Sequence, residues 1–381
     1  MTLIWDWNGT LLDDVDMAVR VTNEVFEPRG YAPLSREAYR RCFRFPVRDY
    51  YRDRGVGDEA FPEVAGAWSA HYDASFPGTP LFGDAAAAVK RLQAAGVEQV
   101  IVSASQVDML RRQVDGYPEL TGCFAAVLGI GDIYADGKVA LARRYLAERG
   151  ADPAEVVLVG DTCHDAEVAA ALGCRCLLVD RGHQTREVIA AAGVPVVHSL
   201  REATELLLSG APLPPGTARL TFTTPAEDMA AELSRNSLDE DNRRFVPDEV
   251  FETEEDARAV LTMLIGAAQS PEGPWVLPLL RREDGRNVGY VQASSLERGW
   301  EIGYHIAADC TGRGYATEAA RAALPYFANR LRTDELLGVA MEENAASCRV
   351  LEKCGMTLVF RGMADYQGEK RPVRHYRWRR A

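Results

Sequence analysis

The sequence has no apolar run approaching the roughly 20 residues that a membrane span needs. Its first residues enter a short apolar segment directly, without the basic stretch and long apolar core of a secretory leader. It has too little cysteine for a disulfide framework. The eight cysteines, at 42, 123, 163, 174, 176, 310, 348 and 354, are scattered and not paired at zinc spacing. They read as small buried hydrophobes in a reducing cytoplasm. Basic charge is also in deficit, with 43 Lys and Arg against 56 Asp and Glu, a net charge of −13. That balance argues against a nonspecific nucleic-acid partner or an anionic membrane surface.

What is present is a soluble globular composition, 47% hydrophobic and 26% charged. At 381 residues the chain is too long for one ordinary core, which predicts two or three domains. The first organising stretch is Leu3 to Asp14, LIWDWNGTLLDD. Its apolar run reads as a buried strand ending at Asp6, and Gly9-Thr10 as the turn that leaves it. An Asp at the carboxyl end of such a strand stands where open α/β sheets place their ligands. Three further stretches follow the same pattern. VEQVIVSAS reads as a strand ending in Ser103 and Ser105, Gly137-Lys138 opens a helix, and VVLVGDTCHDAEVAAALG puts Asp161 and Asp165 between a strand and an alanine-rich helix. Carboxylates on a strand-end loop suit Mg²⁺, a hard cation that prefers oxygen ligands. The alternation of strands and helices predicts a doubly wound parallel sheet.

These four motifs, in this order, resemble those of the haloacid dehalogenase superfamily, and most closely its phosphoglycolate-phosphatase-type members. The resemblance implies a Rossmann-like core with a helical cap over about 14–78, within a domain spanning 1–208. It implies that Asp6 is the nucleophile, that Ser103 and Lys138 hold the phosphoryl group, and that Asp6, Asn8, Asp161 and Asp165 surround Mg²⁺. Asn8 stands where the family has a second Asp, the residue that protonates the leaving group. In the cap, six arginines from Arg40 to Arg54 alternate with aromatic residues, as a substrate-binding set or as a solvated helix face. Guanidinium groups suit an anionic substrate, and Arg44 and Arg48 are the candidate contacts. His183, in RGHQ, reads as a loop residue.

SGAPLPPGT, residues 209–217, concentrates Pro and Gly without an apolar period and reads as a linker. Beyond it, a strand Glu301–Ile306 leads into the glycine-rich turn Thr311–Ala316 and then a helix. Backbone N–H groups at such a turn can close on a phosphate; a turn of this kind can equally serve another nucleotide or none. With the sequel LLGVAMEEN-AASCRVLEKCGM, residues 218–381 resemble the GNAT acetyltransferases, in particular the ribosomal-protein N-terminal acetyltransferases. The resemblance implies a mixed α/β fold in which Thr311, Gly312, Arg313, Gly314, Tyr315 and Ala316 cradle the acetyl-CoA pyrophosphate. Asn344 and Ser347 would lie beside the thioester. Glu301 is the candidate base, its other reading being an exposed strand glutamate. Many members carry a tyrosine acid on the helix after the Asn; here that place holds Leu351, and Ser347 is the remaining candidate. The whole chain is thus expected to be a cytoplasmic bifunctional enzyme. It would be a Mg²⁺-dependent phosphatase on a small anionic metabolite and an acetyl-CoA-dependent N-acetyltransferase on an amine. The alternative is an acetyltransferase whose first domain only binds or scaffolds.

Overall fold

In the computed structural model, residues 1–131, 137–267, 270, 272–297 and 299–380 are described. The apolar strands of the first half are buried at nearly every position, as strands covered on both faces must be. They are β1 (Thr2–Trp5), β2 (Glu98–Gln106), β3 (Ala126–Ile130), β4 (Val156–Gly160), β5 (Arg175–Val179) and β6 (Val196–Val197). All pair in parallel, in the order β3-β2-β1-β4-β5-β6. β1 lies between β2 and β4, so the chain winds outward in both directions from it. That switch point opens a crevice at the carboxyl ends of β1, β2 and β4.

After β1 the chain turns tightly, with the N–H groups of Thr10, Leu11 and Leu12 all donating to the Trp7 carbonyl. Four helices, Val15–Phe26, Arg36–Cys42, Val47–Asp53 and Phe61–Ser75, are then inserted before the sheet resumes. They build an aromatic core of their own around Phe26, Tyr39, Tyr50, Tyr51, Phe61 and Tyr72. This compact unit spans Met1–Gly210.

The second unit, Ala211–Ala381, holds a sheet of seven strands. They are β7 (Leu220–Phe222), β8 (Trp275–Arg281), β9 (Asn287–Ser295), β10 (Trp300–Ile306), β11 (Glu335–Met341), β12 (Thr357–Tyr366) and β13 (Glu369–Arg379), in the order β12-β13-β11-β10-β9-β8-β7. One face packs Leu279, Val291 and Ile302 against Ala319, Ala323 and Phe327 of the helix Tyr315–Arg330. β10 and β11 are the one parallel pair in an otherwise antiparallel sheet, and their register consists of Glu301 opposite Leu337. The two strands splay beyond that point, which leaves a gap in the sheet beside β10.

Gly289 is where backbone approaches backbone. Its φ is +140°, and a β-carbon there would stand 2.0 Å from the His305 carbonyl oxygen. Gly289→Ala is expected to destabilise the second unit by about 2–4 kcal/mol. Gly266→Ala, inside the helix Glu254–Ala267 with open space around it, should be neutral or stabilising by up to about 1 kcal/mol. Urea unfolding of the two variants measures the contrast, and equal effects would contradict this account.

Candidate functional sites

The crevice of the first unit brings together Asp6, Lys138, Asp161 and Asp165, which are far apart in sequence and all buried. Asp6 follows β1, and its N–H donates to Val159 O of β4 at 2.9 Å, fixing the two strand ends side by side. Lys138, the first residue of the helix Lys138–Arg149, donates to Asp6 Oδ1 and to Asp165 Oδ1, each at 2.6 Å. Asp165 also caps its own helix, Cys163–Leu172. Its Oδ2 accepts from Thr162 N at 3.0 Å and Thr162 Oγ1 at 2.7 Å. Asp161 accepts from Thr10 Oγ1 at 3.2 Å and from His183 N at 2.5 Å. Burial pushes the Asp6 and Asp161 carboxyls up. Asp165 is also buried, but Lys138 outweighs that and holds it low.

Asp6, Asp161 and Asp165 each offer an oxygen within 4.8 Å of the others. Lys138 bonds two of these three buried carboxylates, which leaves negative charge uncompensated, and an all-oxygen donor set fits a hard divalent cation such as Mg²⁺. The Asn8 side chain is held in a hydrogen-bond network beside this trio. Its amide nitrogen donates to Asp14 Oδ2 at 3.1 Å and to Tyr72 Oη at 2.6 Å, and its oxygen accepts from Ser105 Oγ at 2.8 Å. Ser103 lies at the end of the same network, its Oγ 3.4 Å from Asn8 Oδ1.

Two buried residues complete the crevice. Asp14 accepts from Gly9 N at 2.8 Å, Tyr72 Oη at 2.5 Å and His183 Nε2 at 3.2 Å. His183 is therefore not a plain loop residue; its Nδ1 also meets Tyr39 Oη at 3.0 Å. Burial alone would favour neutral imidazole, but Asp14, Asp161 and Asp6 outweigh it and raise His183 to about 9. The sequence held a signal for this pair in the last carboxylate of the opening motif and in a histidine just beyond a strand end.

The cap arginines divide differently from the expectation. Arg44 pairs with Asp53 and Asp49, and Arg48 with Asp58, on the exposed surface. Neither lines the crevice cavity of about 150 Å³. The segment that carries them turns an apolar side inward instead, with Phe43, Phe45, Val47 and Tyr50 on the cavity wall. Arg40 is the arginine that reaches the core. It donates to the carbonyls of Gly182 at 2.6 Å, Asp180 at 2.5 Å and Gln184 at 2.9 Å, tying the loop that carries His183 to the cap.

In the second unit, Gly312 and Gly314 take φ of +73° and +85° and turn the chain into the helix Tyr315–Arg330. Thr311 Oγ1 donates back to Ala308 O at 2.8 Å, so its side chain closes the preceding turn. The Arg313 carbonyl accepts from Arg219, whose guanidinium lies 4.5 Å from the Tyr315 ring centroid. Beside Gly314, a surface groove gathers Arg219, Arg321 and Lys353; Ala316 lies in the first turn of the helix. Asn344 caps the helix Ala345–Lys353 by accepting from Ser347 N at 3.0 Å. Ser347 Oγ lies 3.0 Å from the hydroxyl of Tyr304, a β10 residue that the sequence reading passed over. Leu351 is a core residue packed beneath Gly338.

Glu301 sits at the point where β10 and β11 part. Its Oε1 accepts from Val339 N at 3.2 Å, and burial raises its carboxyl to about 7. On the strand pattern it shares a sheet face with Gly303 and His305 and, across β9, with Ser294, Gln292 and Tyr290. That face, opposite the helix Tyr315–Arg330, borders a cavity of about 280 Å³ walled by Leu233, Phe251, Leu261 and Leu264. Glu249 projects to it, bonded by Gln292 Nε2 at 3.0 Å and by the Tyr290 hydroxyl.

A lysine-bridged carboxylate cluster at the switch point of a parallel sheet defines a phosphohydrolase-type centre. A splayed mixed sheet with a glycine turn before a helix defines an acyltransferase-type one. Residues 3–179 match the haloacid dehalogenase-like hydrolases, and residues 219–357 match the acetyltransferase (GNAT) domain. The chain thus joins a haloacid dehalogenase-like hydrolase domain to a GNAT acetyltransferase domain, two enzyme families in one polypeptide. The first is similar to a phosphoglycolate phosphatase of Synechococcus elongatus, 23% identical over 192 residues, covering 50% of this chain and 88% of that protein. The second is similar to an uncharacterized N-acetyltransferase, YnaD, of Bacillus subtilis, 30% identical over 115 residues. That match covers 30% of this chain and 64% of YnaD, so it spans less than two thirds of that relative. Among solved structures, the ribosomal L7/L12 alpha-N-protein acetyltransferase RimL in complex with coenzyme A aligns at 18% identity and a TM-score of 0.39. The alignment covers 44% of this chain and 97% of that one. No described helix is long and apolar enough to cross a membrane.

Arg40→Ala would strip three partly buried carbonyls of their donor. It should lower the stability of the first unit by about 2 kcal/mol or more, read by urea unfolding. It should also expose Arg181 and Arg186 to faster tryptic cleavage. An unchanged cleavage rate would show that the cap does not hold this loop.

Proposed function

We propose that this protein is a bifunctional enzyme. Its first unit removes a phosphate from a small phosphorylated metabolite, and its second transfers an acetyl group from acetyl-CoA to an amine. The observation that carries the first half is the buried Asp6–Lys138–Asp165 array with Asp161 beside it. Folding alone gives no reason to bury three carboxylates on one ammonium.

In this reading, Mg²⁺ held by Asp6, Asp161 and Asp165 supplies charge neutralisation for the phosphate. Asp6 attacks phosphorus and carries the phosphoryl group as an acyl phosphate. Lys138 orients the Asp6 carboxylate and offsets phosphate charge, and Ser103 hydrogen-bonds the phosphoryl oxygens. A scaffolding role for the first unit is the second reading, favoured by Asn8, which cannot ionise.

In the second unit, the N–H groups of the Gly312–Ala316 turn bind the pyrophosphate of acetyl-CoA, with Arg321 and Lys353 as nearby cations. Asn344 and Ser347 flank the thioester. Glu301 accepts the proton of the attacking ammonium, and Ser347, bonded to Tyr304, returns one to the departing thiolate. The amine occupies the cavity beside Glu249. Where one metabolite visits both sites, phosphate removal precedes acetylation, because the carboxylates of the second cavity repel a phosphate dianion.

With Mg²⁺ and a phosphate ester, Asp6→Asn is expected to abolish phosphate release while calorimetric acetyl-CoA affinity stays as in the wild type. Absence of release from any ester by the wild type would favour the scaffolding reading. Acetyl transfer should rise with pH through about 7 as Glu301 loses its proton. Glu301→Gln should remove that inflection and lower the rate about 10²-fold; a retained inflection would exclude Glu301 as the base.

A further inference from the structure

We infer that the first unit is built for aryl phosphates, esters whose leaving group is a flat aromatic hydroxyl. This rests on the phosphatase reading and specifies its substrate class. Two independent observations carry it.

The first is the hydrogen-bonding state of the crevice. Asn8 has no acidic proton, and its amide already donates to Asp14 and Tyr72. Asp14, the nearest further carboxyl, accepts from Gly9 N, Tyr72 Oη, Asn8 Nδ2 and His183 Nε2, so both its oxygens serve as acceptors. His183 has one ring nitrogen on Asp14 and the other on Tyr39. His164 lies flat on the Phe45 ring, centroids 4.6 Å apart, with Nδ1 toward Glu167. Neither Asn8 nor Asp14 is thus poised to protonate a leaving oxygen.

The second is the wall of the cavity. Tyr39, Phe43, Phe45, Tyr50, Trp68 and Tyr72 line it. Several meet face to face or edge to face, including Tyr39–Phe43 at 5.2 Å and Phe43–Tyr50 at 5.3 Å. Lys138 is the one Lys or Arg among the described lining residues. The part of the substrate beyond the phosphate therefore meets ring faces rather than charge, and a planar apolar body fits that surface.

The chemistry joins the two. An alkyl ester must expel an alkoxide, whose conjugate acid is about as weak as water, pKa about 15.7. A phenol, like a tyrosine side chain, has a pKa of about 10 and departs as the anion without a proton donor. The P–O(aryl) bond breaks with its electron pair going to the aryl oxygen, and a P–O bond forms to Asp6. Water then attacks phosphorus, Asp6 regains the electron pair, and the water proton ends on the aryl oxide, giving the neutral phenol and inorganic phosphate.

The test compares substituted phenyl phosphates with ethyl and glycerol phosphates on the full-length protein with Mg²⁺. Expected is a kcat/KM at least about 100-fold higher for the aryl esters, the size of a missing general acid, falling steeply as the phenol pKa rises. Asn8→Asp should flatten that dependence and raise alkyl turnover, and Phe45→Ala should raise KM for phenyl phosphate more than it lowers kcat. Equal turnover of alkyl and aryl esters, which an acid such as His164 would permit, overturns the inference and leaves the phosphatase reading standing. No release from any ester overturns both.

Discussion

The Lys138 ammonium, 2.6 Å from both Asp6 and Asp165, is the contact on which the first unit depends. Three carboxylates at neighbouring strand ends cannot be buried together without cations, since their repulsion is strongest where water is excluded. Lys138 bridges two of them and leaves the third, Asp161, to dipoles: a hydroxyl from Thr10 and a backbone N–H from His183. The remaining negative charge is what would favour a divalent cation in the proposed phosphatase reading. The sheet order follows the same need. With β1 between β2 and β4, Asp6, Ser103 and Asp161 end at one edge of the sheet.

Around this centre lies a second layer that belongs to the cap as much as to the core. Tyr72 and Tyr39 come from inserted helices, yet they bond Asp14 and His183 of the core. Arg40 clamps the loop that carries His183 through three carbonyls. Cap position and site geometry are therefore coupled. Any movement of these helices would break the bonds that hold Asp14 as a pure acceptor and Asn8 in its present orientation.

Much of this was legible in the sequence because the chemistry sits at strand ends, and near-continuous apolar runs mark buried parallel strands well. The parallel sheet follows from that pattern, while the mixed sheet and the convergence of Asp6, Lys138, Asp161 and Asp165 were implied by the family resemblance of the motifs. The cap was harder to read. Arg44 and Arg48 carry the right chemistry for an anion, but Asp49, Asp53 and Asp58 are close by in sequence and take them at the surface. Periodicity identifies a helix without saying which charged residue finds a local partner first. His183 was passed over for a related reason: a histidine in a loop looks ordinary until the fold sets Asp14, distant in sequence, against its ring. Tyr304 shows the same limit, since its link to Ser347 joins β10 to a helix 43 residues further along the chain.

The two cavities share one design, and among the described residues a lysine is present only in the lining of the first. Each sets charged groups against an apolar wall: a lysine and a carboxylate trio beneath aromatic rings in the first, and Glu249 among Leu233, Phe251, Leu261 and Leu264 in the second. No Lys or Arg is among the described residues lining the second cavity, and Asp248 and Glu249 there disfavour an anion. Under the proposal of one shared metabolite, a molecule bearing both a phosphate and an amine would suit the first cavity before hydrolysis and the second only afterwards. Charge would then give the fused pair a direction, with the acetyl acceptor created by loss of the group that had excluded it.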